Sequence, residues 1–446
     1  SARMQFFCNK KGNGTGTVVG AKLHSIVGVG EEESALSGAT KLDLVHDLRR
    51  YALRLGAAGL AVTNASSFLE EKTRLEKRKQ LGWCTPFEES DPEKRCHPEL
   101  LLPGARSLIA IAVPYGQDPP VLSKPDPDRP RGRVSCYSWG KDYHHVLRQM
   151  LEKLVGYLKM RAPVAFRSLI MVDTGPLIDR AVAERSGLGW IGKNCCLIVP
   201  GAGSWVFLGQ ILTTLPLADE PMREFEIEGC GDCRLCLDAC PTGALVDEYQ
   251  LNPNRCIGYL TQMPGDIPRE LRAAMGDQLW GCDICQQVCP HNHALRVEAI
   301  PEFRPADPAS TRPYLDEIAR MTKGQFNQRF RGTAAAWRGK KTWQRNALIA
   351  MGNKANPASI PILVEALGDE RREIRTAAAW ALGRYAPRHP EIKRVLLHRL
   401  EVEAETSVRL ELMESLKLFD GGNPIDARSV GGEHQSEQGG SRKAGV

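Results

Sequence analysis

The chain has 446 residues, of which 42% are hydrophobic and 25% are charged, and its formal net charge is +6. That length favours two or three domains of roughly 150 residues each, with the composition of an ordinary globular protein. No apolar run approaches the roughly 20 residues of a membrane helix, and the first residues lack a signal-peptide pattern, so we expect a cytoplasmic protein with no membrane contact.

Residues 1–40 are rich in Gly, Ser and Thr, and we interpret them as a disordered extension. A helical pattern begins near Leu42, and alternating strand and helix patterns follow as far as residue 225. The predicted strands are Gly59–Val62, Ser107–Val113, Ser168–Val172, Trp190–Val199 and Ser204–Thr213, with the last two joined by a turn at 200–203. The predicted helices between them include Tyr143–Lys159 and Leu177–Ser186. This alternation predicts an α/β domain over residues 41–225.

A cysteine-rich segment spans residues 226–300, and the pattern from 301 to 420 is wholly helical. The tripeptides Ala350-Met-Gly352 and Ala381-Leu-Gly383 lie 31 residues apart, a spacing typical of HEAT-like helical repeats. Between Arg320 and Leu412 there are 18 Lys and Arg residues against 9 Asp and Glu, a local net charge of +9 that favours a polyanionic partner. Residues 421–446 are predicted to be a disordered tail.

Eight of the 14 cysteines lie between positions 230 and 289. The first motif is C-x2-C-x2-C-x3-C-P, formed by Cys230, Cys233, Cys236 and Cys240, and it matches the bacterial ferredoxin run for [4Fe–4S] clusters. The second motif contains Cys282, Cys285 and Cys289, and the isolated Cys256 supplies an eighth ligand. In ferredoxins with two clusters the last cysteine of a run binds the other cluster. The predicted ligand sets are therefore Cys230, Cys233, Cys236 and Cys289 for one cluster, and Cys240, Cys256, Cys282 and Cys285 for the other. Zinc is the alternative for C-x2-C pairs, but the two C-x3-C-P endings favour the clusters.

Two clusters transfer single electrons, so the upstream domain is expected to hold a redox cofactor that receives them. No Gly-x-Gly-x-x-Gly follows a strand, and a dinucleotide site is therefore unsupported. Several stretches resemble the epoxyqueuosine reductase family, namely 132–144, 172–185, 192–195 and 255–262 together with the cysteine motifs. The resemblance covers about residues 41–415. It implies a cobalamin-binding core shared with reductive dehalogenases, followed by the ferredoxin-like domain and the helical repeats.

The implied reaction is reduction of the epoxide of epoxyqueuosine to the alkene of queuosine at the wobble position of tRNA, the final step of queuosine biosynthesis. Two electrons and two protons enter and water leaves. The resemblance implies that the clusters reduce cobalamin to Co(I), which attacks the epoxide, and that the resulting alkoxide takes a proton from Asp173. It also implies an active-site arginine at Arg180. On the residues alone, Asp173 is better explained as a turn former in Asp-Thr-Gly-Pro, and Arg180 is as well explained as a solvated helix residue.

The remaining cofactor contacts implied by the resemblance are Tyr137, Asp173, Lys193, Asn194, Leu197, Gly258, Asp283 and Ile284. His144 and His145 are expected to be structural and not cobalt ligands. Cys136 stands where we expect an arginine or another polar residue.

The expected partners are the anticodon stem-loop of a tRNA that carries epoxyqueuosine and an external low-potential electron donor, and the expected state is a monomer. Phosphate contacts are predicted for Arg338, Lys340, Lys341, Arg345, Arg371, Arg372 and Arg375. Trp337 and Trp343 are candidates for stacking on bases, although Trp343 fits a core position better. The alternatives are a dehalogenase-like cobalamin reductase acting on a small molecule and a non-enzymatic electron carrier.

Overall fold

The computed structural model describes residues 23–24, 38–122, 126–218, 229–293 and 298–421. The predicted disorder of the tail lies outside this range, as does most of the predicted N-terminal extension. Residues 23 and 24 do form a short strand, and the first helix begins at Gly38, four residues before the predicted start. Over the described ranges, none of the helices combines the length and the apolarity needed to cross a bilayer.

The first domain is built on a sheet of five strands in the order β1-β5-β8-β3-β2, in which every pairing is antiparallel. The bounds of these strands are β1 Leu23–His24, β2 Gly59–Asn64, β3 Ser107–Pro114, β5 Ser168–Met171 and β8 Val206–Thr213. A separate short strand, β4, spans Arg133–Val134. The helices of this domain are α1 Gly38–Arg54, α2 Leu69–Gln80, α3 Pro92–Cys96, α4 Tyr143–Arg161 and α5 Asp179–Arg185.

Strand β3 is buried along its whole length and separates two apolar cores. Ile109, Ile111 and Val113 face the core that contains the apolar side chains of α1 and α4, whereas Leu108 and Ala110 face the core that contains those of α5. Side chains alternate between the two faces of a strand, so an uninterrupted apolar run marks a sheet covered on both sides. This arrangement places the ends of β5 and α4 side by side.

The predicted turn at 200–203 is present, since Val199 and Gly203 form an antiparallel bridge, but the predicted continuous strand Trp190–Val199 and its pairing with Ser204–Thr213 are wrong. Residues 190–199 instead fold back on themselves as two short paired strands, β6 Trp190–Ile191 and β7 Leu197–Ile198. The reversal occurs at Cys195, which has a positive φ of 62°, and the Cys195 N–H donates to the Gly192 carbonyl at 2.8 Å. β8 pairs with β3 and β5, where its apolar side chains are buried on both faces of the sheet.

The cysteine-rich segment contains short elements only, since its chain must turn repeatedly to present thiols. They are α6 Leu235–Asp238, β9 Leu245–Asp247, β10 Gln250–Leu251, α7 Ile257–Leu260, α8 Arg269–Arg272, β11 Gln278–Trp280 and α9 Ile284–Gln287. α6 and α9 each begin inside a C-x2-C pair and pack against one another. β11 pairs in parallel with β4, which joins this segment to the first domain.

The C-terminal part is helical and contains α10 Leu315–Arg320, α11 Lys323–Phe330, α12 Gly339–Lys354, α13 Ile360–Ala366, α14 Arg372–Gly383, α15 Ile392–Val402 and α16 Thr406–Lys417. α14 packs between α12 and α16. The repeated glycines lie at these contacts: a β-carbon on Gly352 would lie 2.8 Å from the Ala381 Cα, and one on Gly383 would lie 2.9 Å from the Ser415 Cβ. Close packing between the helices therefore explains why the tripeptides recur, as expected of stacked repeats.

The helical part is joined to the cysteine-rich segment through buried polar and aromatic contacts. Trp343, which is fully buried, stacks on Trp280 with ring centroids 5.5 Å apart, so the prediction that it is a core residue is confirmed. The Asn346 amide donates to the carbonyls of Thr261 and Leu279 at 2.8 Å each. These contacts hold α12 against the chain that carries the second cysteine motif.

Candidate active site and iron–sulfur centres

Four of the predicted ligands surround one small cavity, and we call them the first cluster site: Cys230, Cys233, Cys236 and Cys289. Apolar Leu235 and Ile198 complete its wall. Burial, with the neighbouring Cys230 and Cys289 thiols, raises the pKa of Cys236 to about 11. A buried thiol that resists ionisation is stabilised as a thiolate by bound iron, since the metal supplies a compensating positive charge.

The other four cysteines form the second cluster site: Cys240, Cys256, Cys282 and Cys285. Burial raises the pKa of Cys256 to about 12, and the nearby Cys240 adds to this shift. Cys282 has a raised pKa through burial and through its neighbours Cys256 and Cys240. Folding thus brings the last cysteine of the first motif next to the second motif, and Cys289 of the second motif next to the first.

Within the described ranges, no three Cys, His, Asp or Glu side chains converge on the position of one metal ion. A [4Fe–4S] cube takes one thiolate on each of four separate irons, so its ligands surround a volume and do not meet at a point. Two groups of four thiols around separate centres therefore fit the geometry of two cubes.

Lys193 belongs to the first cluster site. Its ammonium donates to the Gly231 carbonyl at 2.6 Å and pairs with Glu248 at 2.7 Å, and its backbone N–H donates to the Cys230 Sγ at 3.4 Å. Both the side chain and the amide are therefore engaged by the iron–sulfur segment. The expected contact of Lys193 with cobalamin stays a prediction.

Asp173 lies two residues beyond the end of β5 and is only 6% exposed. Its φ of 54° lies in the left-handed region, which aspartate tolerates better than most residues because its side chain bonds locally. The Tyr143 hydroxyl donates to its carboxylate, and His144 Nε2 lies 3.2 Å from the same oxygen. Asp173 is thus both a turn residue, as the local pattern predicts, and the centre of a buried polar group.

His144 is held at both ring nitrogens, because its Nδ1 lies 2.7 Å from the Asp142 carboxylate. Asp142 also caps α4, accepting from the His144 backbone N–H at 3.0 Å. Burial lowers the pKa of His144, but hydrogen bonds to Asp142 and Asp173 outweigh it and raise the pKa to about 9. At neutral pH His144 is therefore an imidazolium between two carboxylates.

Sequence reasoning missed this arrangement, since it treated His144 as structural and gave Tyr143 and Asp142 no role. A signal did exist, because Asp142-Tyr-His144 lies within one of the stretches that resemble the reductase family. What the sequence could not indicate is that the first turn of α4 reaches the end of β5.

Asp283 connects the second cluster site to the first domain. Its carboxylate accepts from the Ser135 hydroxyl and from the Cys136 backbone N–H, the latter at 2.9 Å. Burial raises the pKa of Asp283, although these hydrogen bonds oppose the shift. Tyr137, 3% exposed, packs over Gly281 beside this contact.

A cavity of about 710 Å³ lies against Asp283 and Cys136, a size typical of cofactor pockets. Trp205 and Gln287 also line it. Among the described residues, Gln286 Nε2 and Arg180 Nε are buried without a hydrogen-bond partner. A corrin bears a rim of carboxamides that can exchange hydrogen bonds with polar side chains, and the wall of the cavity carries the amides of Gln117, Gln278 and Gln287, so the residues present fit this cofactor.

The other predicted cofactor residues are distributed around the same region. The Asn194 amide donates to the Cys285 carbonyl at 3.4 Å, and Gly258 lies beside Cys256. Ile284 is partly exposed at the start of α9, whereas Leu197 is 3% exposed and packs into the core of the first domain. Arg180 donates to the Cys195 carbonyl. The structure thus brings Asn194, Gly258 and Ile284 close to cysteines of the second site, and it directs Arg180 toward the turn at Cys195.

The basic residues predicted to contact phosphate fall into two groups, one buried and one accessible. Arg345 is 3% exposed and donates to the carbonyls of Leu260, Met263 and Gly265. Its predicted contact with RNA is wrong, because the guanidinium is a buried link between α12 and the cysteine-rich segment. Arg375 is mostly buried against Glu403, with N–O distances of 2.8 and 2.9 Å.

The remaining basic residues are more accessible. Arg371 and Arg372 are paired with Asp369 and Asp266, with side chains 31% and 43% exposed. Lys341 is 47% exposed and pairs with Glu373, and Arg338 lies over the rings of Trp337 and Phe87. Lys340 and Lys341 lie in the first turn of α12, where the helix dipole adds to their positive potential.

A larger cavity of about 1240 Å³ lies where residues 138–141 meet residues 301–333. Its wall includes Lys141 and Arg331, both exposed, and Gly332, whose carbonyl accepts from the Asp142 N–H at 2.7 Å. The wall of this cavity is therefore hydrogen-bonded to Asp142, which precedes His144 by two positions in the chain.

An antiparallel α/β domain, two sets of four thiols and stacked helical repeats define an iron–sulfur oxidoreductase with an added helical module. Family models match in the same order: "Epoxyqueuosine reductase QueG, DUF1730" over residues 95–174, a 4Fe-4S double cluster binding domain over 229–292 and HEAT repeats over 339–417. The epoxyqueuosine reductase of Bacillus subtilis strain 168 is 40% identical over 378 residues, covering 84% of this chain and 96% of that protein. The one from Escherichia coli K12 is 32% identical and covers 86% and 98%.

Solved structures give the same result. A crystal structure of epoxyqueuosine reductase with an epoxyqueuosine-modified stem loop of a tyrosine tRNA superposes with a TM-score of 0.80 at 40% identity, covering 85% of this chain and 100% of that one. The Streptococcus thermophilus enzyme superposes with a TM-score of 0.76 at 33% identity, covering 84% and 99%. The chain belongs to the epoxyqueuosine reductase family and is an oxidoreductase. The expected fold class and function are confirmed, and the small-molecule reductase and electron-carrier alternatives are set aside.

Proposed function

We propose that the chain reduces epoxyqueuosine in tRNA by passing electrons through two [4Fe–4S] clusters to a bound cobalamin, with Asp173 as the proton donor. The arrangement that carries this proposal is the group Asp142, Tyr143, His144 and Asp173. Opening an epoxide produces an alkoxide, which needs a proton from a positioned acid. At neutral pH this group carries such a proton on the imidazolium of His144.

Asp173 passes a proton to the alkoxide, and that proton comes from the His144 imidazolium, whose Nε2 lies 3.2 Å from the Asp173 carboxylate. Asp173 lies just beyond the end of a strand in a left-handed turn, and His144 also contacts Asp142. Tyr143 fixes the orientation of the carboxylate. A catalytic acid must be held in one orientation and must be reprotonated after it has given up its proton. In this group Tyr143 orients Asp173 and His144 reprotonates it.

The cysteines of the second cluster site are linked to the first domain, because the Asn194 amide donates to the Cys285 carbonyl and the Asp283 carboxylate accepts from the Cys136 N–H. The second cluster would therefore be the one that passes electrons to the cofactor. Bound cobalamin would supply a strongly reducing, nucleophilic cobalt for the chemistry at the epoxide. Tyr137, Asn194, Gly258, Asp283 and Ile284 would hold it over the cavity beside Cys136, and Leu197 would contribute through its backbone.

The RNA is proposed to bind across the first turn of α12 and the large cavity near His144. A structure of a related reductase contains a modified tRNA stem loop, and the accessible cations here are Arg338, Lys340, Lys341 and Arg372. Trp337, which is 36% exposed, is available for base stacking. We also propose that the protein acts as a cytoplasmic monomer and is reduced by an external low-potential donor, since tRNA is a cytoplasmic substrate and neither cluster can generate electrons itself.

The deciding experiment is single-turnover reduction of epoxyqueuosine-containing tRNA by the pre-reduced Asp173→Asn variant, with nucleoside mass analysis. Asparagine keeps the shape and tolerates the left-handed turn, but it cannot donate the acidic proton. The rate should fall by about 10²–10⁴, the usual contribution of a positioned general acid, with cobalamin content unchanged. A rate within a few-fold of wild type would eliminate Asp173 as the donor.

A further inference from the structure

The first cluster site lies close to the protein surface. Cys230, Cys233 and Cys236 are all partly exposed. Leu235 lines the same cavity as these three cysteines and has half of its side chain in solvent. Electrons that arrive from another protein therefore meet this cluster at an accessible surface.

Three large apolar side chains are exposed around this site: Leu235, Val246 and Tyr249, at 50%, 45% and 52%. α6, which carries Leu235, packs on β9, which carries Val246. The Tyr249 N–H donates to the Lys193 carbonyl at 3.2 Å, and the Lys193 N–H donates to the Cys230 Sγ at 3.4 Å. One residue thus separates Tyr249 from a cluster ligand.

Tyr249 adopts a φ of 59° in the tight turn between β9 and β10. Such turns favour Asn or Gly at a left-handed position, and a bulky residue there is a conformational outlier. The turn holds an aromatic ring in solvent beside the cluster, although the fold itself would be better served by a smaller residue.

The charge around these apolar residues is mainly acidic. Asp232, Asp238 and Asp247 are all exposed. The nearby cations are already engaged, because Lys193 pairs with Glu248 at 2.7 Å and Arg234 lies 3.8 Å from the same carboxylate. A bound cube with four thiolates adds further negative charge. A partner that docks here needs positive charge at its own rim.

We propose that Leu235, Val246 and Tyr249, with the rim of Asp232, Asp238 and Asp247, form the docking surface for a one-electron carrier protein whose redox centre is exposed within a basic rim. We call this the entry surface. The reduced carrier gives one electron to the first cluster, which passes from the 2+ to the 1+ state as the carrier is oxidised by one electron. The inference rests on the proposed function, which requires an external donor.

The test uses the anaerobic holoenzyme and runs the transfer in reverse. Enzyme reduced with dithionite and then desalted is mixed in a stopped-flow instrument with ferric cytochrome c, a basic protein with an accessible haem edge, and haem reduction is followed. Each reduced cube gives one electron to one haem iron. Flavodoxin, an acidic carrier, is the second probe.

The Asp232→Lys/Asp247→Lys double variant should react at least about 10-fold more slowly with cytochrome c at low salt and match wild type at high salt. With flavodoxin the same variant should react faster than wild type. Val246→Ser/Tyr249→Ser should slow cytochrome c reduction at both salt concentrations, because it removes contact area without touching the wall of the cluster site. The matched controls are Leu397→Ser and Glu401→Lys on α15, where the side chains are comparably exposed but distant in sequence from the clusters.

Rates equal to wild type in both double variants overturn the inference, and so do equal losses in the control variants. Cluster absorbance should be unchanged in every variant, which separates docking from cluster loss. Dithionite-driven single turnover on tRNA should remain at the wild-type rate in all of them. If wild type itself shows no such turnover, the proposed function fails, while the carrier rates still decide where a redox partner docks.

Discussion

The imidazolium of His144 can be tested by replacing the residue with glutamine, which keeps hydrogen bonding but cannot carry a charge. His144 has its pKa raised from the ordinary 6.5 to about 9, despite the opposing effect of burial, by its hydrogen bonds to Asp142 and Asp173. A shift of this size corresponds to about 3 kcal/mol of stability, at 1.36 kcal/mol per pKa unit. Because the folded-state pKa is the higher one, this contribution is complete below about pH 6.5 and is lost as the pH rises through about 9.

Two measurements check the reasoning. In anaerobic protein with ¹³C-labelled histidine, the NMR signal absent from His144→Gln should titrate near pH 9 in wild type. In urea unfolding, the free energy of unfolding of wild type should exceed that of the variant by about 3 kcal/mol near pH 6. This difference should shrink toward zero above pH 9. Because a chain with several domains can unfold in steps, the NMR midpoint is the primary measurement. A midpoint near 6.5, or stability curves that stay parallel across this range, would refute the ion-pair account.

The other predictions concern the clusters, the RNA surface and the buried arginine. Reconstituted protein should contain about eight irons and eight sulfides, and Cys256→Ala should lose one cluster by EPR and iron analysis; full iron content in that variant would show that Cys256 is not a ligand. Lys340→Gln/Lys341→Gln should weaken tRNA binding and flatten its logarithmic salt dependence by up to about 1.5, whereas Lys417→Gln, 65% exposed on α16, should not; an unchanged slope would place the RNA elsewhere. Arg345→Met should lower the free energy of unfolding by about 3–5 kcal/mol, because it leaves three buried carbonyls unpaired. Thermal unfolding and tRNA titration of the same variant check this, and a loss of RNA affinity with no loss of stability would contradict the structural role of Arg345.

The modules of this protein could be predicted because their signals are local. A cubane requires thiolates at short, fixed separations, so the spacing of Cys230, Cys233 and Cys236 already indicates the chemistry. Stacked helices require small residues wherever they touch, and Gly352 and Gly383 therefore recur with the period of the repeat. The apolar run Ser107–Val113 likewise predicted a strand, and the structure buries that strand along its whole length.

Other features depend on contacts between residues far apart in the sequence. Arg345 and Lys341 belong to the same basic stretch and cannot be told apart by residue type. They lie on different faces of α12, so Arg345 is buried among carbonyls whereas Lys341 is exposed to solvent. The turn at Cys195 divides the single predicted strand Trp190–Val199 into two short strands that pair with each other, although the apolar composition of the segment also fits one continuous strand. Periodicity reports which face of an element is apolar, but it does not report what that face meets.

Asp173, the proposed proton donor, shows both limits. Family resemblance in the sequence was sufficient to single out Asp173, because the stretch around it is contiguous. Its chemistry depends on His144 and Tyr143, which lie about thirty positions earlier and reach it only because α4 packs against the sheet beside the end of β5. Hydrogen bonds and ion pairs act over a few ångströms, so the protonation of such a group is decided by the tertiary structure and cannot be derived from the order of residues alone.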